Sequence, residues 1–176
     1  MTIAIHEFVI DSFTHMLGTL THVLDKAAEH AAARKYELSA LVGARLAPDM
    51  FPLGTQIYLS CHHARDGVTR LTGQEPPELQ RGVAETFEQL RTRVKSTLEF
   101  VAGTPASAFE GAERRTVTIE VNPERIFDMT GFQYLRDWAL PHFYFHVVTA
   151  YDILRDCGVE LGKRDYVRHM TAYLRK

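Results

Sequence analysis

The residues of this chain whose types and spacing could do chemistry are His142-Phe143-Tyr144-Phe145-His146. Histidines at i and i+4 lie on one face of a helix, one turn apart, so two imidazoles can reach a single metal ion. Leu135, Trp138, Ala139, Ala150 and Ile153 recur around them at helical spacing. The pair is therefore expected to project from the middle of an interior stripe, where facing helices of a bundle build metal sites. A second reading of the same residues stands beside it. Two neutral core histidines, hydrogen-bonded to a hydroxyl or a carbonyl, would serve structure alone. The motif is not that of zinc proteases, which requires Glu after the first His where this chain has Phe143.

A metal would need a third ligand. Counting the second helix at about 100° per residue puts Gln56 and Ser60 on the shoulder of its core face. Gln56 and Asp49 are the candidates to reach the interior, whereas His63 falls further round and His62 points away, so both are expected at the surface. An amide oxygen suits hard divalent ions better than zinc. The chain holds no G-x-S-x-G turn and no glycine-rich phosphate loop. Cys61 and Cys157 match no zinc or redox spacing and read as small buried apolar residues, kept as thiols in a reducing cytoplasm. Tyr58, Tyr144 and Tyr151 read as packing aromatics.

Four long helices must position these groups. Val9, Phe13, Leu17, Leu20, Leu24, Ala27 and Ala31 make one stripe on a helix from about Ile5 to Arg34. His15 and His22 fall on its polar side and are expected in solvent. Pro48 reads as the first turn of the second helix, with Met50, Leu53, Ile57, Cys61, Ala64, Val68 and Leu71 inward, before Gly73 and Pro76-Pro77 stop it. Leu79, Val83, Phe87, Leu90, Val94, Leu98 and Val101 define the third. The segment from Thr116 to Val121 then alternates, Asn122-Pro123 turns and Ile126 to Met129 returns, which spells a small β-hairpin closed by Gly131. The fourth helix, about Gln133 to Asp156, carries two apolar stripes. It needs cover on most sides, so a homodimer packed partly through it is expected. Pro141, one residue before His142, should bend it. The segment from Leu161 to Lys176 is polar and basic, with a short helix expected near Tyr166 to Leu174.

The chain has 176 residues, 45% of them hydrophobic and 24% charged, with a formal net charge of −2. That is one domain, residues 1–176, with enough apolar material for a core and no electrostatic case for nucleic acid or an anionic membrane surface. The start has no basic n-region and carries Glu7 and Asp11, and no apolar run approaches the roughly 20 residues that span a bilayer. A cytoplasmic protein is the expectation.

Two blocks carry a resemblance. Leu140-Pro141-His142-Phe143-Tyr144-Phe145-His146 with Thr149-Ala150-Tyr151-Asp152-Ile153-Leu154-Arg155, Gly158-Val159 and Leu161-Gly162-Lys163-Arg164-Asp165 resembles an uncharacterised branch of the DinB-like (YfiT-like) superfamily. So does Gly43-Ala44-Arg45-Leu46-Ala47-Pro48-Asp49-Met50-Phe51-Pro52-Leu53 with Gln56. The resemblance covers nearly the whole chain. It implies an all-α four-helix bundle in up-down-down-up order, commonly dimeric. It also implies a three-histidine site, one on the second helix and an H-x-x-x-H pair on the last, which in some relatives activates a low-molecular-weight thiol. The pair maps onto His142 and His146, and the remaining position onto Gln56, a departure from the pattern.

Two functions follow as expectations. One is a metal-dependent small-molecule enzyme, a thiol-dependent transferase or hydrolase, with zinc, nickel or manganese on His142, His146 and Gln56. The other is a metal-free ligand-binding or structural dimer whose histidines are core polar residues.

Overall fold

The computed structural model describes residues 4–80 and 85–175. Its long helices are α1 (Ile5–Arg34), α3 (Leu53–Leu71), α4 (Phe87–Ala102) and α6 (Leu140–Asp156), with a short α2 (Leu38–Gly43) after the first. Strands β1 (Thr116–Asn122) and β2 (Arg125–Thr130) precede α5 (Gly131–Gln133) and a π-helical stretch, Tyr134–Ala139, that runs straight into α6. A short α7 (Lys163–Tyr166) and a 3₁₀ turn, Arg168–Tyr173, follow.

Cross-helix contacts fix the direction of each helix. Asp25 of α1 pairs with Arg91, and His6 meets the Thr104 carbonyl at the other end, so α1 and α4 are antiparallel. Tyr58 lies under Arg93, and Arg65 donates to Thr97 and Ser96, so α3 and α4 are parallel. Gln56 meets His146 while Asp66 meets Tyr134, so α3 and α6 are antiparallel. The order is up-down-down-up. The parallel pair puts the end of α3 and the start of α4 at opposite ends of the bundle.

The stripes read from sequence form the core. Val9, Phe13, Leu17, Leu20, Leu24, Ala27 and Ala31 are all buried, as are Leu53, Ile57, Cys61, Ala64, Val68 and Leu71. Phe13 meets Phe143 edge-on with ring centroids 4.9 Å apart. Gly67 lets three helices close together there. A Cβ on it would come within 2.9 Å of the Phe13 ring and 3.6 Å of Ala139.

Helix starts differ from expectation in two places. α3 begins at Leu53, not at Pro48, because the chain from Ala44 to Met50 turns back until the Leu53 N–H reaches the Ala44 carbonyl at 2.8 Å. Pro52 caps the helix instead, where its missing N–H costs nothing. α4 begins at Phe87, where Thr86 and Gln89 form a reciprocal capping box. Leu79 is exposed ahead of it, and Val83 lies outside the described residues.

The hairpin pairs Val117 with Met129 and Ile119 with Phe127 and has an irregularity between Glu120 and Asn122. Val117 and Ile119 are buried. Arg70 joins the hairpin to α3 by donating to the Thr118 carbonyl at 3.1 Å and to Asp66 at 2.7 Å. Asp66 also accepts from the Tyr134 hydroxyl at 2.7 Å. One buried carboxylate thus ties α3, the hairpin and the π-helical stretch together.

His15 and His22 are not free in solvent. The C-terminal segment folds over the polar side of α1, so His22 meets Asp165 at 2.7 Å and His15 stacks on His169 with centroids 4.6 Å apart. No helix among the described residues is long and apolar enough to cross a membrane.

Candidate metal centre between α3 and α6

Pro141 has no N–H to give back to the helix. The helix meets that gap with the π-helical stretch before it, a distortion that often sits at functional sites. The gap shapes the position of His142. Its Nδ1 donates to the Trp138 carbonyl at 2.7 Å, a side chain serving a backbone oxygen one turn back. One turn on, His146 is buried and its Nδ1 donates to Gln56 Oε1 at 2.8 Å. The acceptors are oxygens, so both Nδ1 atoms carry the proton and both Nε2 atoms keep a free lone pair.

His63 is the residue the sequence reading misplaced. It is half-buried between the two, with ring centroids 5.2 Å from His142 and 5.4 Å from His146. The seam between α3 and α6 is wider than the apolar stripe of α3 and takes in its polar shoulder. The available signal was spacing. His63 is seven residues after Gln56, two helical turns along the same line. His62 is also half-buried, stacked on Tyr58 with centroids 6.2 Å apart. Asp49 is exposed in the turn before α3 and does not join the cluster.

The electrostatics favour neutral imidazoles. Burial pushes His63 down to about 3, with His146, His142 and His62 adding to the effect. Burial and then the neighbouring His142 push His146 down to about 4. Both are neutral at neutral pH, the form a metal ligand needs. No cysteine competes as a nucleophile, since burial raises the Cys61 thiol to about 12 and raises Cys157 as well.

Among the described residues, no group of three or more His, Cys, Asp or Glu side chains stands in an arrangement that grips an ion. The ring geometry accounts for this. His63 lies flat on His146, with 7° between the ring planes, and offers a ring face where a ligand offers an edge. Aromatic side chains border the cluster. Trp138 lies tilted against His142 at 4.6 Å, Phe127 of the hairpin meets Trp138 at 5.4 Å, and Phe145 stands edge-on to His146 at 5.3 Å.

A bundle in this order, with an imidazole pair on its last helix, is a DinB-like architecture. It matches the crystal structure of a DinB family member protein from Shewanella denitrificans with a TM-score of 0.81 and 34% identity, covering 95% of this chain and 96% of that one. The chain belongs to the family described as Domain of unknown function (DUF1993), whose model matches residues 5–167. No curated protein matches it.

Proposed function

We propose that this protein is a metal-dependent small-molecule enzyme of the group-transfer or hydrolase type, working in the cytoplasm. The observation that carries the reading is the pair of imidazoles, His146 buried and His142 half-buried, with both Nδ1 protons spent on protein oxygens and no partner on either Nε2 among the described residues. Metal-binding histidines are commonly held in this way, through the nitrogen that does not bind the ion. The donor chemistry, though not the ring arrangement as it stands, suits a divalent ion such as zinc, nickel or manganese. His142 and His146 would hold it through Nε2, and His63, turned edge-on, would add a third imidazole. Gln56 Oε1, called as a ligand from sequence, is engaged by His146 and supports the site from behind. When bound, such an ion lowers the pKa of a water or low-molecular-weight thiol and so supplies a nucleophile near neutral pH. The chain's own contribution is Trp138 and Phe145 as apolar neighbours of the pair, and His63 and His146 kept neutral by burial.

Metal content by mass spectrometry tests this. The protein is purified without nickel resin or chelator, alongside His142→Ala and His146→Ala. Near-stoichiometric metal that disappears in both variants is expected. Wild-type protein that stays metal-free after soaking in zinc, nickel and manganese would move the histidines to the structural reading.

We also propose that the protein is a homodimer. Phe145 and Val148, 58% and 38% exposed, form an apolar strip on α6 that the bundle leaves open. Sedimentation showing a monomer at micromolar concentration would refute it.

A further inference from the structure

We infer that Gln56 is a positioning residue for His146, and that it decides which nitrogen of that imidazole carries the proton. Only its consequence for metal affinity rests on the reading above. The geometry stands without a metal.

Gln56 is 1% exposed, so water cannot satisfy its amide and every bond must come from the protein. Its Nε2 donates to the Phe51 carbonyl at 3.0 Å, and its Oε1 accepts from His146 Nδ1 at 2.8 Å. A flipped amide fails at one end outright. Oε1 would face the Phe51 carbonyl, acceptor against acceptor, and Nε2 would face a nitrogen that must then give up its proton. The Phe51 carbonyl can only accept, so the polarity of the chain is set at the backbone. It runs from Phe51 through Gln56 to His146 and fixes the proton on Nδ1.

The base of the chain is itself held. The Gln56 N–H donates to the Pro52 carbonyl at 3.0 Å, and Ser60 Oγ donates to the Gln56 carbonyl at 2.9 Å. Position 56 is thus fixed in the first turns of α3. The two imidazoles reach one tautomer by different devices. His142 uses a backbone carbonyl that no substitution removes, whereas His146 depends on one replaceable side chain. The amide at position 56 is therefore explained by orientation of the imidazole.

The test uses the full chain with ¹⁵N-labelled histidine. NMR of the metal-free protein reads the His146 tautomer, and zinc titration against a chromophoric chelator reads affinity. Both are applied to wild type, Gln56→Met, which keeps length and loses the acceptor, and Gln56→Glu, whose buried neutral carboxyl can donate to the Phe51 carbonyl and accept from Nδ1. In wild type His146 should carry its proton on Nδ1. Gln56→Met should release the proton to Nε2 and lower zinc affinity about 10- to 100-fold, the usual effect of losing such a support. Gln56→Glu should restore the Nδ1 tautomer and most of the affinity, which a purely structural role would not predict. A wild-type His146 protonated on Nε2, or a Gln56→Met variant with unchanged tautomer, overturns the inference. A tautomer shift in Gln56→Met with no zinc bound by any variant upholds the positioning and removes the metal centre instead.

Discussion

Two histidine clusters in this molecule are built from the same side chain and have opposite characters. Between α3 and α6, the partners of His63, His142 and His146 among the described residues are a backbone carbonyl, an amide oxygen, neighbouring aromatic rings and one another. Between α1 and the C-terminal segment, His22 shares Asp165 with Lys26 at 2.7 and 3.1 Å. There a carboxylate is in direct contact with the ring. The interior cluster has none, because Asp66, three residues from His63, already serves Arg70 and Tyr134. The comparison teaches that burial holds down His63 and His146 where the nearby Asp66 is engaged elsewhere, whereas His22 sits directly against a carboxylate.

The largest expected effect comes from removing the carboxylate that the interior has committed elsewhere. Asp66→Ala leaves the Tyr134 hydroxyl buried without its acceptor and Arg70 without its anion, and should cost about 3 kcal/mol in urea denaturation. A loss below about 1 kcal/mol would mean that water or another acceptor replaces Asp66, and the interior would be wetter than the comparison requires.

Acid separates the clusters next. The fold holds His63 at about 3 and His146 at about 4, both well below the ordinary 6.5. The unfolded chain therefore binds protons that the folded one refuses, so stability is intact above about pH 6.5 and drains as pH falls toward 3. His63→Phe should flatten that decline in thermal melts between pH 7 and 4. An unchanged slope would show that the interior histidines do not drive acid sensitivity.

Asp165 should give the smallest and most acidic signal. Burial alone would raise its carboxyl, but hydrogen bonds from His22, the Gly162 N–H and Lys26 outweigh that and hold it at about 2. Its contribution is present above the ordinary 3.8 and is lost only as pH falls from there toward 2. Asp165→Asn should cost about 1 kcal/mol at pH 7, scaled for a partly exposed pair, and nothing below pH 2. An equal cost at both pH values would assign the effect to packing.

Much of the fold was legible because helical stripes of large apolar residues leave one way to bury themselves. The first helix has the bounds its stripe gave, Ile5 to Arg34, and the hairpin lies where β-branched alternation and Asn122-Pro123 put it. Helix starts were less legible, since they depend on single caps. Thr86 and Gln89 fix α4, and the apolar spacing of Leu79 gives no hint of that. At the candidate centre, the interior side of His142 and His146 was readable from their own helix. The place of His63 depends on how widely two helices share a seam, which the pattern of one helix does not state. The partners of His15 and His22 come from more than 140 residues away in sequence, and no local pattern signals them.

Trp138 is the chain's single tryptophan, and its ring lies tilted against His142. All indole emission from this protein therefore originates beside the candidate centre. Imidazolium and open-shell ions both quench an indole at contact, and its band position follows how wet its surroundings are. The molecule carries its own optical gauge of the surroundings of His142, with no label to disturb the site.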